Sequence, residues 1–518
     1  VCSSDLSAAP AFLERHAKDL FADDKRLLRL MIRLLRVGCV VSPSWLEGIG
    51  AAPSVLSVPD GPAWPCVLRL VVNALTSLKP IERSLLLGFV EDWARGVSWQ
   101  TPYPDGADAA VSIAHWLLPF FDDYQSDNQR KRTLRVIAKL PLADRDRFSA
   151  LLQGDRNGED RDRASENFQE FVFTGVEGVP AARDMPDDVV SAAMSYLLRT
   201  GVEHNPYGHS RLDLEPLFGI NDELSHGFFP ASAYRGPFLP LMRCHPQRAL
   251  ALMVAVFNHS ADWYAHPRAR SPRSSIEAPF EVTLKFADGT SKTQWCNGRL
   301  WGWYRGMSGP HALQSLLMAM ERGLLELAKV RPVELDALLL DTLRKSDSAA
   351  ITAVVSSVAT AFPHVCGETL LVLLGCRAYI QLDRSRLSSE SYPPSTMAGM
   401  FPSRVEDRIF EQERVDADAR PHRRRDLELA VLDLQLGPLA VRVQTVLDHH
   451  RAELPPLEKQ DEKDRVWRLA LHRMDARLYK VTEHVPPSPN ADGEAMSAAE
   501  PGFIRLDLEV PEADVREM

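Results

Sequence analysis

The sequence has no CxxC pair, no phosphate-binding glycine loop, no bilayer-length apolar run and no excess of positive charge. Each absence closes a class. Its cysteines are Cys2, Cys39, Cys66, Cys244, Cys296, Cys366 and Cys376. Their number is odd and their spacing scattered, which excludes a disulfide framework and fits a reducing cytoplasm. A structural zinc site needs closely spaced ligand pairs, and none is present. The longest apolar runs, such as residues 249–257, fall short of the roughly 18 residues a membrane helix needs, and no signal-peptide pattern opens the chain. Lys and Arg number 60 against 70 Asp and Glu, a net charge of −10. That balance argues against a dedicated nucleic-acid binder. GxxxxGK[ST], GxGxxG after a strand, GxSxG, HExxH and the kinase signatures are all missing.

The pattern that is present is helical. Residues 21–37 form an amphipathic helix, with Leu27, Leu30, Met31, Leu34 and Leu35 at spacings of three and four. Arg26, Arg29, Arg33 and Arg36 line another face, which can bind phosphate or an acidic partner, or simply be solvated. Solvation is the favoured reading. Helices follow at 67–75, 81–93, 109–121, 132–152 and 187–199, the last opening with Pro186. Residues 246–264 are apolar over most of their surface. Helix pairs at 311–330 with 332–343 and 348–361 with 366–374 complete the centre, and helices at 426–436, 439–450 and 464–479 follow. Pro332 and Pro363 act as breakers. The expected fold is mainly α, an irregular HEAT- or armadillo-like solenoid of helix pairs with one inserted β-hairpin.

The hairpin lies at 280–296. Val282, Leu284 and Phe286 alternate with polar residues, Asp288-Gly289 is a turn signal, and the chain returns at 291–296. Trp295, Trp301, Trp303 and Tyr304 cluster beside it. Such a cluster can be a stacking platform. A structural joint is favoured, because these rings bring large burial.

The expected domains are N-terminal helical pairs at 7–152, a polar loop at 153–166, a central helical domain at 167–384, an exposed connector at 385–420 and C-terminal helices at 421–484. Residues 485–518 read as a flexible tail with a lone edge strand at 503–510. Residues 1–6, VCSSDL, resemble a translated sequencing-adapter end. They are expected to be an artefact, with the natural protein continuing upstream and a truncation expected at Met518 as well.

Candidate interaction residues come from irregular segments. Tyr207, His209, Phe228, Tyr234 and Arg235 belong to the Gly-, Pro- and aromatic-rich stretch 201–240. Long irregular loops in helical proteins are often functional, though an ordered connector packed by its own aromatic residues fits too. Arg268, Arg270 and Arg273 lie in the basic loop 266–275, and Arg423 and Arg424 in the cluster 422–425. His204 with His209, or His449, His450 and His472, can be assembled into metal sites on paper, as Cys244 and His245 can into a nucleophile and base. Fifteen histidines make such proximities ordinary. No catalytic, cofactor or metal residue is assigned.

Three stretches carry a resemblance: FFPASAYRGPFLPLMRCHP at 228–246, NGRLWGWYRG and its following helix at 297–321, and PHRRRDLE with WRLALHRMD within 421–475. Together they resemble the helical C-terminal half of very large bacterial ATP-binding proteins, similar to the STAND class, several of which act in antiphage defence. The likeness spans about residues 21–475. It implies an upstream effector and P-loop ATPase, with ATP and Mg bound only there, and a helical sensor here that recognises a protein partner and releases oligomerisation. The ATP-binding residues have no counterpart in this chain. The expected function is therefore a non-catalytic sensor or scaffold. The alternatives are a stand-alone helical adaptor, or an enzyme with a site near the aromatic cluster.

Overall fold

Prolines set where many of the helices start. Pro80, Pro186, Pro246 and Pro332 are each the first residue of a helix, where a missing N–H costs nothing. Asp144, Asp162, Ser348, Asp426 and Asp461 cap others by accepting a backbone N–H. The computed structural model describes residues 9–22, 25–37, 63–95, 97, 102–154, 162–199, 215–221, 224, 227–266, 278–302, 309–390, 405–485 and 503–510. Among them the chain is mainly helical, helix packed on neighbouring helix, with two small antiparallel strand pairs. The expected helix-pair fold with an inserted hairpin is what it adopts. No described helix is long and apolar enough to cross a membrane.

Two compact units form. One comprises residues 1–200 and 221–252, the other 201–220 and 253–518. In the first, Trp64 stacks on Phe89 at 4.7 Å, Phe148 meets Phe168 edge-on, and Phe173 stacks on Tyr196. The helix Arg26–Val37 sits differently from its apolar pattern. Leu28 and Ile32 are buried, while Leu27 and Leu30 remain half exposed. The arginine stripe is not simply solvated. Arg36 Nε donates to Asp92 Oδ2 at 2.6 Å, and Arg29 Nη1 lies 3.4 Å from Glu82 Oε1. Both carboxylates are buried on the helix Pro80–Arg95. Ion pairs with buried partners fix the helix rotation here, and periodicity within one helix cannot show them.

In the second unit, β1 (Phe280–Lys285) pairs with β2 (Ser291–Cys296), from Phe280 opposite Cys296 to Lys285 opposite Ser291. Gly289 has φ of 83°, and Asp288 Oδ1 accepts from the Thr290 N–H at 3.0 Å, closing the turn. Val282, Leu284, Phe286, Gln294 and Cys296 face inward. They meet the helices Pro332–Lys345, Ala349–Ala361 and Gly367–Leu374. The Trp295 N–H donates to the Asp347 carbonyl at 2.8 Å, tying the hairpin edge to the following helix start.

Three expectations are corrected. The segment 385–420 is not wholly an exposed connector: the helix Arg377–Glu390 enters it, and Val405–Asp418 is a helix that buries Phe410, Glu413 and Ala417. Three inward positions among many polar ones hide that helix from a composition count. The strand near the C-terminus is not alone either. Chain 464–479 is not one helix: Glu462–Arg473 ends, and β3 (Tyr479–Val485) pairs antiparallel with β4 (Phe503–Leu508). Residues 1–8, 155–161 and 391–404, on which other expectations fell, lie outside the described residues.

Candidate functional site

The hairpin seat is the first place to look, because the tryptophans gather there. Trp301 is 1% exposed and stacks on Tyr379 at 5.0 Å. Tyr379 Oη donates to Gln294 Oε1 at 2.5 Å, and Thr352 Oγ1 donates to the same oxygen at 2.6 Å. The Gln294 amide donates to the carbonyls of Ser346 at 3.1 Å and Leu343 at 3.4 Å. All of these groups are buried, and burial pushes the Tyr379 pKa well above the usual phenol value. A neutral phenol whose proton is committed to an amide is a strut, not an acid or base. Trp295 is half buried, with His266 edge-on at 5.2 Å. Trp303 and Tyr304 lie outside the described residues.

The second place is the turn Pro421–Arg424, where the basic cluster folds inward. Arg423 is buried, flanked by Glu390 Oε1 at 2.5 Å and Glu321 Oε1 at 3.6 Å. His422 Nε2 lies 3.2 Å from the same Glu321 oxygen, and Arg420 Nη1 is 3.5 Å from the other. Glu413 meets Arg322 at 3.2 Å and Arg420 at 3.7 Å. Arg386 is held by Asp383 at 2.7 Å and Glu390 at 2.8 Å, and donates to the carbonyls of Arg423 and Arg425. Burial works against the Arg386 charge, but Asp383 and then Glu390 outweigh it and push its pKa up. Burial pulls the Arg423 pKa well down, so the carboxylates beside it are what make a guanidinium tolerable there.

Chemically, this cluster does not resemble a nucleophile site. Ser357 Oγ donates to Glu321 Oε1 at 2.6 Å, the oxygen that His422 also approaches. An activated serine needs its hydroxyl against the imidazole. Here both groups hang on one carboxylate, and the hydroxyl donates to that carboxylate and not to the imidazole. Among the described residues no group of three His, Cys, Asp or Glu side chains could hold a metal.

The other sequence candidates disperse. Phe228 is fully buried beside Phe238. Arg235 is buried too, donating to the carbonyls of Phe229, Pro230 and Thr174 at 2.5, 3.1 and 3.3 Å. These two, like Arg423, are internal struts and not contact residues. Tyr234 is half buried and Arg424 exposed. Tyr207, His209, His204, Arg268, Arg270 and Arg273 lie outside the described residues. His450 Nε2 bonds the Leu374 carbonyl at 2.9 Å, and His245 Nε2 bonds that of Arg183 at 2.9 Å.

The stretch around Arg235 also carries a strict glycine. Gly236 has φ of +67°, and its N–H donates to the Gly175 carbonyl at 2.9 Å. A Cβ there would overlap the Phe173 carbonyl oxygen. Gly236→Ala is expected to cost roughly 1–3 kcal/mol from backbone strain and the clash together. Thermal denaturation of the variant checks it, and an unchanged midpoint would contradict the close approach.

Sequence reasoning missed Glu321, Glu413, Asp383, Arg386, Gln294 and Tyr379. One signal was readable: Glu321 and Arg322 stand together between two apolar runs, 316–320 and 323–325, of the helix His311–Val330. No protein-family model matches the chain, and no curated protein does.

Proposed function

We propose that this chain is a non-catalytic helical sensor or scaffold belonging to a larger STAND-like ATPase, and that it recognises a protein partner in the cytoplasm. One observation carries the recognition part. Phe12, Leu27 and Leu30 are 59%, 50% and 53% exposed. With Leu13, Leu20 and Met31 they line one groove of about 160 Å³ between the first helices. Scattered apolar side chains on a surface mean little, but several converging in a groove mark a contact surface. The polar centres described above are spent on holding the fold together, which supports a role without chemistry. The link to an ATPase rests on the resemblance of residues 228–246, 297–321 and 421–475.

Leu27→Glu with Leu30→Glu is expected to leave stability within about 0.5 kcal/mol, since both side chains already face water. The double variant should lose the partner that the unaltered protein retains on affinity purification from its own host. Recovery of the same partner by both would sink the groove. A stand-alone adaptor would use the same surface, and the genomic reading frame upstream of Ser7 separates the two. A Walker A loop in frame supports the ATPase, and a start codon with no such loop rules it out.

A further inference from the structure

We propose that the helix Val405–Asp418 is a detachable latch over the buried charge cluster, held down by ion pairs more than by apolar packing. Most helical stability in proteins comes from packing an apolar face. Among the described side chains of this helix, Phe410, Glu413 and Ala417 are buried. They form one narrow stripe at spacings of three and four, and its middle position is a charge. By contrast the shorter helix Leu427–Leu434 buries four apolar side chains, Leu427, Ala430, Val431 and Leu434, beside Glu428. Ile409 and Val415 are about half exposed on the outward side of the latch.

The polar contacts explain how such a helix can leave. Glu413 is held by Arg322 and Arg420. Each arginine has a second carboxylate on the helix beneath: Arg322 Nε meets Glu326 at 3.1 Å, and Arg420 Nη1 lies 3.5 Å from Glu321. When the latch lifts, Glu413 is rehydrated and neither arginine is stranded. Stripping one partner from a buried pair usually leaves an uncompensated charge. Here the duplicate carboxylates remove most of that penalty, so closed and open states lie near each other in free energy. The turn Pro421–Arg424 stays anchored by His422 and Arg423 on Glu321 and Glu390. The chain therefore pivots near Ala419. Opening uncovers Arg322 and Gln314, which Arg414 otherwise approaches at 3.5 Å. The latch stands or falls by itself, whether or not the groove binds a protein.

Hydrogen exchange read by mass spectrometry on the full chain tests it. Amides of 405–418 should exchange at least about a hundredfold faster than those of 311–330 and 427–434, as a low-stability unit does. Glu413→Gln should speed 405–418 by a further factor of about ten, leaving 311–330 and 349–361 as they were. Equal protection of 405–418 and 427–434 in the unaltered protein would overturn the latch, with no variant needed. So would a Glu413→Gln variant in which every helix around the cluster exchanges faster together.

Discussion

Trp301→Ala is expected to destabilise the second unit by about 3–5 kcal/mol, the range for removing a large aromatic side chain from a closed core. The indole is 1% exposed and stacks on Tyr379, which in turn is fixed by the Gln294 amide. Alanine leaves a void with the shape of an indole, and the surrounding hydrogen bonds resist collapse into it. Urea denaturation followed by far-ultraviolet circular dichroism measures the loss. An unchanged midpoint together with a lost interaction would make Trp301 a contact residue, and the tight seat would then be a misreading. Tyr379→Phe in the same assay isolates the hydroxyl.

Glu321→Ala is expected to cost about as much, 3–5 kcal/mol, by a different route. The carboxylate is buried and receives Ser357, His422, Arg423 and Arg420. Its removal takes the buried acceptor from Ser357 and His422 and one of two carboxylates from Arg423 and from Arg420, which keep Glu390 and Glu413. Ser357→Ala removes one donor from the same carboxylate and should cost no more than about 1.5 kcal/mol. The contrast between the two variants is the measurement. Were Glu321 a ligand-binding or catalytic acid kept at the expense of stability, its replacement would leave the midpoint unchanged or raise it.

Much of the fold was legible in local signals. Pro186 and Pro332 sit at helix starts as a missing N–H requires. Asp288-Gly289 announced the hairpin, and the alternation of Val282, Leu284 and Phe286 gave its inward face. What stayed hidden depended on distant partners. Arg29 and Arg36 read as surface because Glu82 and Asp92 lie on another helix. Arg423 read as an exposed basic residue because its carboxylates, Glu321 and Glu390, come from two other helices. The helix Val405–Asp418 reads as connector because only Phe410 and Ala417 of its apolar residues with described side chains are buried, and polar residues outnumber them. Strand Phe503–Leu508 reads as solitary in the sequence because its partner, Tyr479–Val485, follows a helix whose apolar pattern runs past its true end at Arg473.

The Gln294 amide has a consequence for how the second unit assembles. Its contacts reach residues 49 to 85 positions downstream, whereas the helices that supply them neighbour one another in sequence. Closing long loops costs more chain entropy than stacking adjacent helices. The helices between Pro332 and Glu390 are therefore expected to assemble before the hairpin docks on them. Four separate groups must be in place for one amide to be satisfied. A register error in any of the three helices that supply Leu343, Thr352 and Tyr379 leaves a buried carbonyl or amide without its partner. The hairpin thus proofreads the stack beneath it, and a single glutamine reads the result.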